Sequence, residues 1–595
     1  MKQIRTKAKV EVSEANAHTR RPPFWQADPS RVASVSLILG LTMLAFFGVI
    51  LLLTTLLFAL GKPISAAHLP LAALVTAGCA WFITKRFAPE KPLKTFSLVI
   101  GVNAIIFVVG LVGLGSFYDL SWDGQTYQQE AIIQLTNGWN PLRDTPLSTI
   151  HEVWINHYPK APWIFAATVY KLTGDLENGK VFNAIFFFMT AFFYLAALLT
   201  FRPNGLGKAA LLSLVVALNP VFVNQLLSYY IDCQIAGFLL SAIALCYLAY
   251  SKQDKLLALA LVLAIILLVN TKFTAIVYVL VLTGGLAGWL FCAKQRRGAR
   301  TVLLIGAGGL LVGLLVVGFN PYVSNTLSKG HPFYPLAGKG AVDIWDPATS
   351  QSMELPVGFR QANSFKKLFV SLFTYSENPG FKKPRYKIPF TYEKNELLWF
   401  AEKSDLRLGG MGPLFSGVLV LTVLMALILT AELRKQKDPL VLSIFGVTAI
   451  IFVSVLANPE SWWARYVPQL WLVPVLLALP GIYLINKKSL KLLGWAIILV
   501  LLVNSSMILW FYLHAQCNKS YALEQQLTAI VEIQREFKQP VLVDFRGFYS
   551  SRVRLENFGI TYREVTSPPA GAKQIPLIGS RAITYLMLPN TIPQQ

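Results

Sequence analysis

Charge is scarce in this sequence, and acidic charge scarcest. Of 595 residues only 14% are Asp, Glu, Lys or Arg, and 30 acidic side chains stand against 53 basic ones. With 54% apolar residues, that scarcity excludes a soluble multidomain enzyme of ordinary composition. Cysteine is nearly absent as well. Four of the five (Cys79, Cys233, Cys246, Cys292) fall in or beside apolar runs and Cys517 stands apart, so neither a disulfide framework nor a zinc site is suggested. The first thirty residues lack the short apolar core and small-residue cleavage site of a removable signal peptide, so the first apolar run is expected to stay as an anchor. No convincing internal repeat is found, which weakens the case for a transporter built from duplicated halves.

What the sequence has in abundance is long apolar runs, at 32–60, 67–83, 96–115, 181–201, 209–227, 233–250, 256–270, 274–292, 301–319, 412–431, 439–457, 467–485 and 492–513. Such runs suit a hydrocarbon core of about 30 Å, and inside lipid a helix satisfies its own backbone polar groups. The expected fold is therefore an all-α polytopic membrane protein of about thirteen transmembrane helices. Lys and Arg number about 25 in the N-terminal tail and the loops 84–95, 202–208, 251–255, 293–300, 432–438 and 486–491, against about three in the alternate short loops. That bias predicts a cytoplasmic N-terminus and an outer C-terminus. The net charge of +23 is mostly topogenic on this reading, and no nucleic-acid partner is implied.

The expected division is a cytoplasmic basic tail (1–31), a transmembrane domain (32–513) with long outer loops 116–180 and 320–411, and a small extracytoplasmic domain (514–595). In the first loop Asp123 is expected to cap a helix running to about Asn137, and Pro162 to Leu172 reads as a second helix before Gly174. The second loop, punctuated by Pro332, Pro335, Pro347, Pro356, Pro379, Pro384 and Pro389, reads as an ordered lid. A helical stretch from Leu523 to Phe537 and strand-like runs at Val541 to Phe545 and Ile583 to Leu588 predict a small C-terminal α/β domain.

Ionisable groups at membrane depth either pair or mark a site. Those near the predicted outer face are Asp123, Asp232, Lys272 and Arg465, joined by Asp119, Lys160, His157 and His331 from the loops. One or two carboxylates among several cations suit transfer of a group from a phosphate leaving group to a hydroxyl. A carboxylate takes the acceptor proton, and Lys and Arg stabilise the charge growing on the departing phosphate. Hydrolysis of a glycoside would instead ask for a pair of carboxylates.

The residues that carry this chemistry also carry a resemblance. The run Asp123-Gly-Gln-Thr-Tyr127-Gln-Gln-Glu-Ala131, ending at Gly138, resembles the first outer-loop motif of the protein O-mannosyltransferase and aminoarabinose transferase superfamily, polytopic transferases of the GT-C class. Tyr158-Pro159-Lys160-Ala161-Pro162 with Leu172-Thr173-Gly174 resembles that family's Lys-Pro-Pro segment. Asn270-Thr271-Lys272 is similar to a Lys ending a middle helix, and Arg465-Tyr466-Val467-Pro468 to an Arg-Tyr-x-x-Pro segment near the last helices. The four pieces keep their order over roughly 96–485. The resemblance implies a GT-C-like fold with Asp123 as catalytic base, and Lys160, Lys272 and Arg465 near the donor phosphate. Tyr127, Asp232 and His331 become candidates for substrate binding. The implied donor is a sugar on a polyprenyl phosphate, transferred with inversion to a glycan, lipid or protein acceptor. The implied setting is the outer side of the bacterial cytoplasmic membrane or an equivalent one.

Two departures stand out. Gly124 replaces a second acidic residue common in the family, and Ala161 replaces the first Pro of the Lys-Pro-Pro segment. A lone Asp holds a divalent ion less well than a pair; Asp119 or Glu130 could substitute, and metal use stays open, with no cofactor otherwise implied.

Plainer readings accompany each residue. Asp123 suits a helix cap, Asp232 a cap or interhelical pair, and Lys272 and Arg465 could snorkel to the interface. His151, His157 and His331 read better as loop histidines than as metal ligands. Gly306, Gly308 and Gly309 read as helix packing, not a phosphate loop. Trp462-Trp463 suits either stacking on a sugar or an interfacial aromatic belt. The rival functions are a flippase for lipid-linked saccharides, which would open to both faces, and a polysaccharide polymerase or ligase, which would show more outer arginines.

Overall fold

The computed structural model describes residues 28–342, 355–377, 382–435, 437–568 and 572–586. Most of the basic tail, including Lys2, Arg5, Lys7, Lys9, Arg20 and Arg21, lies outside the described residues, as do Pro347 and Pro379 of the lid and the last residues of the run to Leu588.

Each expected apolar run is largely helical. Among the described residues nine helices are long and apolar enough to cross a membrane: Pro29–Ala59, Pro92–Gly115, Leu176–Phe201, Asp232–Lys252, Thr274–Cys292, Arg296–Val317, Phe415–Lys435, Pro439–Leu456 and Lys488–Phe537. The count of thirteen is thus not confirmed by length and composition. Leu206–Ala217, Lys255–Val269 and Pro468–Leu484 are apolar but shorter, and His68–Phe87 does not belong to the nine. The run expected at 209–227 is broken by chemistry visible in the sequence. The Asn219 side chain accepts from Val221 N at 2.9 Å and Pro220 opens a new short helix, Pro220–Gln225.

The bundle packs through small residues, as expected where lipid supplies no hydrophobic drive between helices. A Cβ on Gly309 would sit 2.7 Å from Ile265, and one on Gly306 would sit 3.0 Å from Thr283; Gly308 faces open space. Basic helix ends carry ion pairs, Arg86 with Asp254 at 2.8 Å and Lys487 with Glu432 at 2.6 Å.

The long loops pack on each other, Asn325 donating to His157 O at 3.1 Å. In 116–180 a helix spans 122–136, with a wider π turn at Gly124–Gln128, and is followed by Ala161–Thr173, which Gly174 ends at φ 74°. The two helices are joined by Trp163, whose indole donates to Gln128. The second loop is pinned by buried Glu396, which pairs with Lys387 at 2.7 Å and accepts from Ser376 N at 2.8 Å. Lys367 reaches Glu460 at 3.0 Å from the same loop.

The last helix, Lys488–Phe537, runs unbroken for 50 residues from the bundle into the C-terminal unit. There Leu523, Leu527 and Ile530 of its final turns share a core with Val541, Val543, Phe545, Leu555 and Leu577. The sheet has the order β2-β1-β4-β3, with β1 Val541–Asp544, β2 Tyr562–Glu564, β3 Lys573–Pro576 and β4 Ile583–Leu586. Strands β1 and β2 are parallel, whereas β4 is antiparallel to both β1 and β3.

Candidate active site

Arg465 organises the site. It lies in the short 3₁₀ turn Ala464–Tyr466 that follows helix Pro439–Leu456, and it is buried. Its Nη1 is 2.9 Å from Asp232 Oδ2 and 3.4 Å from Asp123 Oδ2, and its Nε is 3.0 Å from Asp405 Oδ1. The guanidinium lies 4.7–5.1 Å from the rings of Trp463, Tyr230 and Tyr466, a setting that favours Arg over Lys. Snorkelling does not describe it.

Lys272 forms an ion pair with Asp232 and stands 4.1 Å over the ring of Tyr466. Asp232 is the first residue of its helix, where a carboxylate also meets the positive end of the helix dipole. It further accepts from Gln225 Nε2 at 3.4 Å. Asp405 takes Arg407 Nε at 2.8 Å and Trp463 Nε1 at 2.7 Å. Three carboxylates thus stand against Arg465, Lys272 and Arg407.

Asp123 is the least satisfied of the three. It is not the helix cap expected of it. Its backbone is helical (φ −60°, ψ −35°) and its side chain makes no capping bond; the carboxylate is turned to Arg465 and to Tyr127 OH, each at 3.4 Å. Side-chain exposure divides the cluster: Asp123 keeps 13% and Lys272 18%, while Asp232 keeps 1%. Asp405 also keeps 18%, so Asp123, Lys272 and Asp405 are the side chains open to approach. Burial raises the pKa of Asp123, and Arg465 offsets part of that rise. For Asp405 burial also raises, but Arg407 and Arg465 outweigh it and leave the carboxyl below its ordinary value. Such an arrangement leaves one buried, weakly bonded carboxylate able to accept a proton beside fixed positive charge.

Lys160 is also buried but stands apart from the ion cluster. Its Nζ donates to the carbonyls of Tyr158 at 2.7 Å and Asn156 at 3.0 Å, and lies 5.9 Å from the Trp139 ring. It opens on a pocket lined by Phe58, Leu142, Ile164, Asn270 and Asn320. Ala161 N donates to Asn270 O at 3.1 Å, which places this pocket two residues from Lys272. Burial holds the Lys160 pKa well below the usual value.

His331 keeps to its own turn, its Nδ1 accepting from Phe333 N at 3.1 Å. Phe333 in turn packs 5.8 Å from Phe273, the neighbour of Lys272. His157 pairs with Asn325 at 2.7 Å, and His151 with Gly547 O at 2.9 Å. Trp462 and Trp463 are fully buried and stacked at 5.6 Å, so they form neither an interfacial belt nor an open sugar platform.

The two candidate substitutes for a second acidic ligand are engaged elsewhere. Asp119 accepts from Ser121 N at 2.9 Å and Tyr229 N at 2.8 Å, and Glu130 is held by Arg552 at 2.8 Å. Among the described residues no three His, Cys, Asp or Glu side chains are grouped to hold a metal ion. The departure at Gly124 has a spatial cause. A Cβ there would lie 1.9 Å from Asp119 Oδ2, so the Asp119 carboxyl fills the space a side chain would need.

Asp405 and Arg407 were not anticipated. The available signal was their place just before an apolar run, mirroring that of Asp123 just after one.

A scan of family models finds no match, and neither does a search of curated proteins. Among solved structures the fold is similar to that of ArnT from Cupriavidus metallidurans bound to undecaprenyl phosphate. The identity is 11%, 84% of this chain and 99% of that chain are covered, and the TM-score is 0.43.

Proposed function

We propose that this chain is an inverting glycosyltransferase that moves a sugar from a polyprenyl-phosphate donor to a hydroxyl acceptor on the outer face of the bacterial cytoplasmic membrane or an equivalent one. The observation that carries the reading is the state of Asp123: a buried carboxylate, partly open to approach, with two long polar contacts, one of them to an arginine. The motif resemblance at Asp123, Lys160, Lys272 and Arg465 supports the choice of donor.

In the proposed step the acceptor oxygen attacks the anomeric carbon while its proton passes to an Asp123 oxygen. The bond from that carbon to the phosphate oxygen breaks, and the phosphate keeps the electron pair. Lys272 and Arg465 face the growing negative charge in a dry setting that needs no reorganisation. Charge balance supports assigning Lys160 to the donor. Asp123, Asp232 and Asp405 already balance Lys272, Arg465 and Arg407. A phosphodiester adds one negative charge, and Lys160 can gain the matching positive one by taking up a proton. After transfer Asp123 is neutral and the freed phosphate carries the second charge, so the balance is kept.

The division proposed is a transmembrane catalytic region through residue 513 and a C-terminal outer domain from 514. Tyr127 and Asp232 line the reacting centre, and His331 is assigned to the rim on the acceptor side.

The test compares polyprenyl-phosphate sugars and sugar-modified envelope products in cells with the parent chain, with none, and with Asp123→Asn. Asparagine keeps the size and loses the base. The expected outcome is donor accumulation and loss of one modified product with Asp123→Asn at normal protein levels, and the missing product names the acceptor. Transfer at the parental rate would assign Asp123 a structural role and move the flippase reading ahead.

A further inference from the structure

The C-terminal unit touches the helix that carries Asp123 at several places at once. Arg554 enters from its short helix Ser551–Asn557 and is buried. Its Nη1 donates to Gln125 Oε1 at 3.0 Å, and its Nη2 to Asp119 O at 2.6 Å and to Glu177 Oε1 at 3.1 Å. Gln125, itself fully buried, donates onward to Gly579 O at 2.7 Å, and its own carbonyl accepts from Ser550 Oγ at 2.8 Å. Arg552 grips Glu130 with two bonds of 2.8 and 3.1 Å. Arg581 lies 4.0 Å from the Trp122 ring, against which Phe548 packs edge-on at 5.0 Å.

These contacts bracket Asp123 without touching it. Trp122 precedes it, Gln125 follows it by two residues, and Asp123 and Tyr127 face Arg465 instead. The segment before the helix is fixed on both sides of one residue. Asp119 N donates to Glu177 Oε2 at 3.0 Å, while Asp119 O accepts from Arg554. The Asp119 carboxyl fixed in this way is the group that fills the space beside Gly124. Arg554 also answers charge here, pairing with the buried Glu177 at 3.1 Å. Lys180, at 2.7 Å, and Arg554 together offset the cost of burying the Glu177 charge.

We propose that Arg554 is a positioning residue for Asp123: the C-terminal unit sets the start of the 122–136 helix, and with it the angle at which the carboxylate meets the acceptor. The kinetic half of this proposal rests on the transferase reading above; the positional half does not.

The experiment uses the full-length protein in lipid nanodiscs. Arg554→Gln, Arg554→Lys and Gln125→Met are compared with the parent, with Arg563→Ala in exposed strand β2 as a control. One readout is peptide-resolved amide exchange over 118–136 and over 541–586. The other is steady-state transfer with the polyprenyl-phosphate sugar fraction extracted from cells lacking the chain. Arg554→Gln and Gln125→Met are expected to speed exchange over 118–136 at least tenfold and leave 541–586 within twofold. They are expected to lower kcat at least tenfold with the donor KM within about twofold. Arg554→Lys should recover part of both. Gln125→Met alters the contact from the helix side and leaves the C-terminal core intact, so it decides the matter if Arg554→Gln loosens that core. Exchange over 118–136 or kcat within twofold of the parent for Gln125→Met overturns the proposal. Asp123→Asn, run alongside, reports separately on the catalytic reading: if it keeps parental turnover that reading fails, while the exchange data still decide whether Arg554 holds the helix.

Discussion

Gly124→Ala adds one methyl group next to the proposed base, and the structure says what that methyl would meet. It would lie 1.9 Å from Asp119 Oδ2, 2.4 Å from Ser121 Oγ and 2.7 Å from Asp119 Cγ, where ordinary contact begins near 3.4 Å. The gap to Oδ2 must therefore open by about 1.5 Å to reach ordinary contact distance. Asp119 has little room to give, since it is fully buried and its two oxygens accept from Ser121 N and Tyr229 N at 2.9 and 2.8 Å. The helix start must shift instead, and Asp123 is the adjacent residue. Displacement of about 1 Å at a reacting group costs on the order of 100-fold in rate, or about 2.7 kcal/mol of transition-state stabilisation. The effect on folding should be smaller. Overpacking costs about 1–3 kcal/mol, and replacing Gly by Ala in a helix returns up to about 1. The expected signature is a loss of turnover near 100-fold with normal expression and a modest fall in Tm, measured by initial transfer rates in nanodiscs and by thermal unfolding. Asp119→Ser, which shortens the obstructing side chain, should recover part of the lost rate when combined with Gly124→Ala. Turnover of Gly124→Ala within threefold of the parent would refute the argument that this contact places Asp123.

Arg465→Gln should move the acidic limb of the rate profile to higher pH. Asp123 must be deprotonated to act, so activity falls as pH drops through its pKa; burial already raises that pKa, and removing the cation 3.4 Å away raises it further. A limb that stays put or moves down would show that Arg465 does not act on the base. Donor binding should weaken as pH rises, because Lys160, held low by burial, must take up a proton to match the phosphate. Between its free and bound pKa values the loss approaches about tenfold per pH unit. Lys160→Met should raise the donor KM at least tenfold and flatten that dependence, read from KM against pH.

The fold was legible where a physical rule acts locally. Every apolar run from 32–60 to 492–513 became largely helical, because lipid solvation leaves the backbone few alternatives. Length was less legible: Leu206–Ala217 stops short because Asn219-Pro220 starts a new helix inside an apolar run. Asp232, Lys272 and Arg465 stood out as charges at helix ends, and the structure joins them to Asp123. Asp405 and Arg407 did not stand out, since they come from an irregular loop whose pairing depends on where that loop folds. The capping role expected of Asp123 rested on a sound local preference. It lost to a partner 342 positions away, a separation over which sequence pattern carries no information. The grip of Arg554 on Gln125, 429 positions apart, was hidden for the same reason.

The 50-residue helix that ends the bundle extends for about 75 Å, of which a hydrocarbon core takes about 30. It therefore works as a driveshaft between the bilayer and the sheet. Angle and height are locked together along it: one inserted residue turns everything beyond by about 100° and advances it about 1.5 Å. Whatever length this shaft has fixes the azimuth at which Arg552, Arg554 and Arg581 arrive, so the alignment of the candidate base is set partly by a screw thread that begins inside the membrane.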